Sequence, residues 1–298
     1  MTELCKELEA EFGFAFNANL YLTPPNAKGF NVHYDTHDVF VLQIAGTKIW
    51  EIFESPIELP LPGQIHDASG AQPGRVTDKF TLEEGDLAYI PRGFFHHAIA
   101  GNDTSLHITL GAMVQTWCEL LIEAISELSL RDVAFRRGLP IGLELSSFDP
   151  DGAERDFYRL LQRLTKSIDF TAAIRSLRNE FVRTREAGLR DQLLQISKLH
   201  QLSKNSMVVA RRGAVCTVAY ATDKINVEYL NTSIEFPLEV ADCLESLLSG
   251  VPMKIEDVSG NLDIAGKIVL ARRLIEEGLL RTLSHCGDAN TAISVPVS

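Results

Sequence analysis

Gly29-Phe30-Asn31-Val32-His33-Tyr34-Asp35-Thr36-His37-Asp38 runs directly into Val39-Phe40-Val41-Leu42-Gln43-Ile44, an apolar and largely β-branched run. A second such run, Lys48-Ile49-Trp50-Glu51-Ile52-Phe53, follows Ala45-Gly46-Thr47. Two short strand-like runs around a glycine-containing turn predict a β-hairpin. Just ahead of the first strand stands His33-x-Asp35. In extended backbone alternate side chains share a face, so this imidazole and carboxylate point the same way. They supply two of the three ligands of a facial triad for iron(II), a set that leaves metal positions open for oxygen chemistry.

The third ligand has to come from another strand. Residues 83–97 read Glu-Glu-Gly-Asp-Leu-Ala-Tyr-Ile-Pro-Arg-Gly-Phe-Phe-His-His. Gly85-Asp86 reads as a turn, Leu87–Ile90 as a short strand, and Pro91-Arg92-Gly93 as a second turn that delivers a further strand from Phe94. Either His96 or His97 can close the triad. A His-x-Asp pair alone is most often a surface or capping pair. The turn, strand and Pro-x-Gly-x-x-His that follow about 60 residues later make a metal centre the better reading.

The segment from Asn17 to Gly111 closely resembles the Jumonji-C ribosomal oxygenases, a cupin-type branch of the 2-oxoglutarate dioxygenases. The resemblance runs through Asn19-x-Tyr21-Leu22-Thr23-Pro24-Pro25, His33-Tyr34-Asp35 and Val39-Phe40-Val41-Leu42-Gln43-x-x-Gly46-x-Lys48-x-Trp50. It continues through Gly85-Asp86-x-x-Tyr89-x-Pro91-Arg92-Gly93-x-x-His96-x-Ala98 and Ser105-x-His107-x-Thr109, and in weaker form to about residue 285. It implies a mainly β catalytic domain (a double-stranded β-helix, or cupin jelly roll) over 1–112. A helical module through which two chains dimerise is expected over 113–205, a winged-helix-like α+β module over 206–285, and a flexible tail over 286–298. It also implies iron(II) held by His33, Asp35 and His96, because the family places its ligand three residues after the glycine; strand alternation then turns His97 away. Lys48, 15 residues after His33, stands where the family keeps the cation for the far carboxylate of 2-oxoglutarate, with Asn19 and Thr109 assisting. Two departures stand out. The Asn-x-Tyr-Leu-Thr-Pro strand begins about 15 residues in, where family members carry a substantial preceding segment, so part of the outer sheet and substrate wall is expected to be missing or supplied otherwise. Gly111 replaces a pocket Ser common in the family.

Composition is that of an ordinary globular protein, 45% hydrophobic and 23% charged over 298 residues. No apolar run approaches ~18 residues, and the acidic start is unlike a signal peptide, so a cytoplasmic protein is expected. Five scattered cysteines, none at C-x-x-C spacing, indicate neither a zinc site nor a disulfide framework. The net charge of −12 is uneven. Residues 1–111 carry 6 Lys/Arg against 15 Asp/Glu (−9), residues 112–205 carry 14 against 13 (+1), and residues 206–298 carry 8 against 12 (−4). A negative catalytic third favours basic partners and disfavours nucleic acid.

Elsewhere, Thr2–Glu11 has the spacing of a short helix. In Phe14–Thr23 the residues Asn17, Asn19 and Tyr21 alternate with Ala18, Leu20 and Leu22, a strand with a polar inner face, and Tyr21 is the candidate for the substrate side. Residues 54–76 hold four of the twelve prolines and read as a long rim loop. In Thr104–Gly111 the residues Ser105, His107, Thr109 and Gly111 share one face; His107 is either a pocket residue or a satisfied core histidine. His37, His66, His200 and His285 read as surface or core residues without a ligand partner. From Val114 the period changes to 3.6, predicting helices at 114–128, 157–167, 170–185 and 189–202. Residues 207–222 and 225–236 read as strands, 238–248 and 261–277 as helices, and 278–283 as a final strand.

Three functions compete: an iron(II) and 2-oxoglutarate dioxygenase hydroxylating an Arg or His side chain of a basic, ribosomal protein; a metal cupin acting on a small molecule; and a non-catalytic scaffold. Lys48 separates the first two, since a dicarboxylate cosubstrate needs a cation deep in the barrel.

Overall fold

The glycine turn after Ile44 forms, but the strands it joins do not pair. In the computed structural model, which describes residues 1–65, 70, 72–142, 148–185 and 189–283, β2 (Asp38–Ala45) lies between β7 (Ser105–Met113) and β5 (Leu87–Ile90). β3 (Lys48–Phe53) lies between β4 (Val76–Leu82) and β6 (Phe95–Ala100). The chain therefore crosses from one sheet to another at Gly46, and the expected hairpin is a sheet-to-sheet corner. Both edges of each strand find partners elsewhere, an arrangement that local sequence does not encode.

The two sheets are ordered β1-β7-β2-β5, with β1 spanning Ala15–Thr23, and β4-β3-β6; every pairing is antiparallel. Val39 and Val41 of β2, Trp50 of β3, Leu82 of β4, Ile90 of β5 and Ala98 of β6 form one buried cluster drawn from both sheets. Fully burying a side chain such as Val or Ile contributes ~1.5–3 kcal/mol, so this cluster fixes the register of the strands that carry the site. The other face of the first sheet is covered by α1 (Thr2–Phe12), whose Cys5 joins Phe16, Leu110 and Ala112 in a second cluster. β4 has no counterpart among the strands read from sequence: Val76, Thr77, Asp78 and Lys79 are exposed on an edge strand, so its apolar alternation is weak.

The described chain forms two compact units, one of Met1–Val114, Ala187–Val215 and Pro237–Ser298, the other of Gln115–Glu186 and Cys216–Phe236. Besides these two sheets, the first unit holds α5 (Gln192–Ser197), continued only by a 3-10 turn at Leu199–Gln201, so the helix expected over 189–202 is broken. It also holds a small sheet centred on β8 (Met207–Ala210), flanked by β12 (Met253–Lys254) and β13 (Leu280–Thr282), with α6 (Ala241–Leu248) and α7 (Ile264–Glu276).

In the second unit, α2 (Trp117–Arg131) starts three residues later than its periodicity suggests. Thr116 makes a reciprocal capping box: its hydroxyl accepts from Glu119 N, and the Glu119 carboxylate accepts from Thr116 N. α3 (Pro150–Ser167) starts seven residues before the expected Phe157, because Asp149 caps the Gly152 N–H and Pro150 occupies the first turn. The Asp-Pro-Asp-Gly sequence is thus a helix start. α4 (Phe170–Thr184) follows, and β9 (Thr217–Tyr220), β10 (Lys224–Tyr229) and β11 (Thr232–Pro237) form a meander. The single strands expected at 207–222 and 225–236 are each two strands. They divide at Gly213, with φ 77, and at Leu230 and Asn231, with φ 49 and 60. No helix among the described residues is long and apolar enough to cross a membrane. His66, His285, Cys286 and the tail expected at 286–298 lie outside the described residues.

Candidate metal centre and its cavity

His33 sits in a short stretch that pairs with β6 through one bridge: His33 N donates to His96 O at 3.1 Å and His96 N to His33 O at 2.8 Å. The bridge sets the two histidines opposite each other, with ring centroids 4.6 Å apart. Between His33 and Asp35, the side chain of Tyr34 is buried against Phe95, and its hydroxyl donates to Gln64 O at 2.6 Å. That anchor on one face leaves the neighbouring side chains to the other. Asp35 is fixed from behind, where its carbonyl accepts from Gly93 N at 2.9 Å. Gly93 has φ 88, and a Cβ there would lie 2.8 Å from Ile57 O, so only glycine makes this turn without strain.

His33, Asp35 and His96 each offer a ligand atom, and these atoms lie within 4.8 Å of one another; His96 Nε2 is 3.6 Å from Asp35 Oδ2. His33 Nδ1 bonds Asn31 O at 2.7 Å, and His96 Nδ1 bonds Phe94 O at 3.0 Å. A carbonyl only accepts, so each Nδ1 carries the proton and each Nε2 keeps a lone pair for a metal. Burial, with His33 nearby, lowers the His96 pKa and favours its neutral form. Two imidazole nitrogens and one carboxylate oxygen are the donor set of a non-haem iron(II) site. The adjacent His97 is turned away, its Nε2 2.8 Å from Glu51 Oε2, and Glu51 in turn holds Lys79.

The triad opens into a cavity of about 370 Å³ whose wall includes Asn19, Tyr21, Thr23, Lys48, Trp50 and Thr109. Lys48 is 3% exposed; its Nζ donates to Thr23 Oγ1 at 3.0 Å and lies 3.4 Å from His107 Nδ1. An ammonium only donates, so His107 Nδ1 is the unprotonated nitrogen, and one of the three Lys48 N–H bonds remains for the cavity. Burial pulls the Lys48 pKa down to about 8, and burial with the Lys48 charge pulls His107 down to about 4. His107 stacks on Tyr21 at 5.0 Å. The buried Trp50 Nε1 has no acceptor among the described residues. A buried cation with an N–H to spare in the cavity wall fits a bound carboxylate, since a buried donor left unmade costs ~1–3 kcal/mol.

The residues expected at the metal therefore converge, and Lys48, Asn19, Thr109 and Tyr21 line one cavity with them. The hydrogen-bond partners of Lys48 among the described residues are Thr23 and His107. Thr23 was legible as the next member of the alternation Asn17, Asn19, Tyr21. His107 belongs to the cavity wall, and so does His37, which had read as a surface or core residue. His37 lies before β2 in a stretch without period, so no pattern marks it.

The family described as JmjC domain matches residues 2–120. Ribosomal oxygenase 2 of Mus musculus is 27% identical over 317 residues, covering 93% of this chain and 68% of that protein. Ribosomal oxygenase 1 of Gallus gallus is 28% identical, covering 92% of this chain and 53% of its own length. The bifunctional lysine-specific demethylase and histidyl-hydroxylase NO66 of Drosophila persimilis is 36% identical over 55% of this chain, which spans 25% of that protein. Among solved structures, the Escherichia coli ribosomal oxygenase YcfD in complex with cobalt and 2-oxoglutarate superposes with a TM-score of 0.52 at 17% identity, covering 94% of this chain and 75% of that one. That likeness extends to the fold.

Proposed function

Residues 2–120 match the family described as JmjC domain, and from that match we infer that the chain is an iron(II)- and 2-oxoglutarate-dependent dioxygenase that hydroxylates an Arg or His side chain of a basic, ribosomal protein. The observation that carries this reading is the pairing of a His33/Asp35/His96 donor set with a buried Lys48 that has an N–H to spare in the same cavity. Iron(II) with 2-oxoglutarate and dioxygen supplies the oxidising chemistry: one oxygen atom enters a substrate C–H bond and the other enters succinate, with release of carbon dioxide. The protein's part is positioning. His33, Asp35 and His96 would hold the metal, and the protonated Nδ1 atoms of the two histidines lock their ring orientations. Lys48, steadied by Thr23 and His107, receives the far carboxylate, while Asn19 and Thr109 complete the wall. Tyr21, stacked on His107, faces the substrate side.

The charge of −9 on residues 1–111 supports a basic polypeptide partner by steering it toward the cavity. The names ribosomal oxygenase and histidyl-hydroxylase borne by the relatives support the target class. A homodimer through the helical module at 113–205 is part of the same reading. It is supported by α2, where Trp117 is 77% exposed and Leu121 and Ile122 are also uncovered. The deciding experiment is succinate release by the iron-loaded protein, followed by a search for a one-oxygen mass gain in ribosomal peptides. Sustained turnover on a small metabolite with no peptide oxidation would favour the small-molecule cupin; no succinate at all would favour the scaffold.

A further inference from the structure

The two large sheets of the first unit have four edges, and three of them are protected. β5 is only four residues long. β4 carries Asp78 and Lys79, and its register with β3 shifts between Ile52 and Phe53. β6 is covered by the stretch that precedes β2, through bridges from Lys28 to Ile99 and from His33 to His96. Shortness, charge, irregularity and a covering segment are the devices that keep a sheet edge from pairing with another chain. β1 has none of them. Its nine residues include no charge, proline or glycine, and they pair with β7 in unbroken register from Ala15 to Thr23. No strand among the described residues lies along its other edge.

The two faces of β1 are equally uneven. Asn19 and Tyr21 line the cavity, so the alternate residues turn an apolar face outward. On that outer face Leu20 begins a row that crosses all four strands in register, through Ile108 and Leu42 to Leu87. The ends of the row, Leu20 and Leu87, are 55% and 60% exposed. α1 covers the other half of the face, around Phe16, Leu110 and Ala112. Its last residue, Phe12, lies against Phe14 and Phe16 and is exposed. The boundary between the covered and the bare half therefore runs across β1 itself.

We propose that the free edge of β1 is a contact for a second copy of this chain, paired antiparallel across a two-fold axis so that two four-stranded sheets join into one. An isologous contact must be self-complementary, and β1 is. With the axis at Asn19, Leu20 of each copy stands opposite Ala18 of the other, Leu22 opposite Phe16, and Tyr21 opposite Asn17. Apolar residues then meet on the outer face and polar residues on the cavity side, whereas a register shifted by one would set them against each other. The same axis lays the helix-covered half of each sheet beside the bare half of the other and brings each exposed Phe12 toward Leu22 of the other copy. The chain carries a net charge of −12, so two copies repel over most of their surface, and a strand without charge is where they can meet. This contact is separate from the helical module at 113–205 and independent of the reaction in the cavity. One strand edge and half a sheet face make an interface at the low end of specific sizes, so it should form at higher concentration than the helical dimer.

Sedimentation from micromolar to submillimolar concentration reads both contacts. The wild type is expected to pass from dimer to larger species, and Trp117→Glu from monomer to dimer. Leu20→Lys puts a charge at the head of the apolar row, outside the cavity wall, and should weaken this second step roughly tenfold or more, since each copy loses one buried leucine. Leu87→Lys, at the far end of the same row, should leave the step unchanged. Cooperative thermal unfolding identifies folded variants. Hydrogen exchange on the wild type needs no variant: the β1 amides that do not bond to β7 should exchange more slowly in the concentrated sample than in the dilute one, and those of β5 should not change. A wild-type dimer that survives Trp117→Glu but not Leu20→Lys would support the contact and assign the micromolar dimer to β1 as well. A wild type that stays dimeric at every concentration, or β1 amides that exchange equally fast in both samples, would overturn the proposal. So would a second step lost equally in Leu87→Lys, which would point to stacking of outer faces, or β1 protection that appears only with a different protein added.

Discussion

Replacing Lys48 by Met should make the unliganded protein more stable and unable to bind 2-oxoglutarate. The side chain is 3% exposed, and burial lowers its pKa from 10.5 to about 8. At roughly 1.4 kcal/mol per pH unit, that gap is about 3 kcal/mol of desolvation carried by the charged form. Its bond to Thr23 offsets about 1 kcal/mol of this. A methionine of similar length removes the charge and keeps the packing, so a gain of about 2 kcal/mol at pH 7 is expected. The pH dependence has a definite sign. Between about 8 and 10.5 the unfolded chain holds the Lys48 proton and the folded chain has released it, so wild-type stability rises with pH there. The difference between wild type and Lys48→Met should therefore shrink as pH climbs through that window. Urea unfolding at pH 7 and pH 10 measures both arms. Added 2-oxoglutarate should stabilise the metal-loaded wild type, by about 2.7 kcal/mol at a hundredfold excess over Kd, and leave Lys48→Met unmoved. A variant less stable than wild type at pH 7, with an unchanged gap at pH 10, would refute the reasoning that a charge is held in the cavity for a ligand.

The histidine beside Lys48 should titrate in the opposite region. Burial lowers His107 to about 4, so it opposes acid: stability should fall as pH drops from about 6.5 to 4, and His107→Asn should flatten that limb of an acid-unfolding curve. His96→Ala should abolish stoichiometric metal binding and His97→Ala should not, as equilibrium dialysis would show; binding to the wild type should weaken in acid because both imidazoles must be neutral. Sedimentation should report a dimer at micromolar concentration, and Trp117→Glu, placing a charge on a side chain that is 77% exposed in the single chain, should shift it toward monomer.

The sequence by itself carried most of the candidate metal centre. His33-x-Asp35, Pro91-x-Gly93-x-x-His96 and Lys48 were legible because strand alternation and glycine turns are local properties, readable within a few residues. The same locality made Thr23 available as the continuation of Asn17, Asn19 and Tyr21. Tertiary structure alone decided the rest. It turned the Ala45-Gly46-Thr47 hairpin into a crossing between sheets, because pairing depends on which distant strands compete for each edge. It set His96 opposite His33 through a backbone bridge and gave His97 a carboxylate partner on β3. It placed His107 in the cavity wall, where the same alternation allowed a core position. His37 reached that wall from an aperiodic stretch because a glycine 74 residues later left room for its ring. Such placements depend on space left by residues far away in the chain, and a linear pattern holds no record of that space.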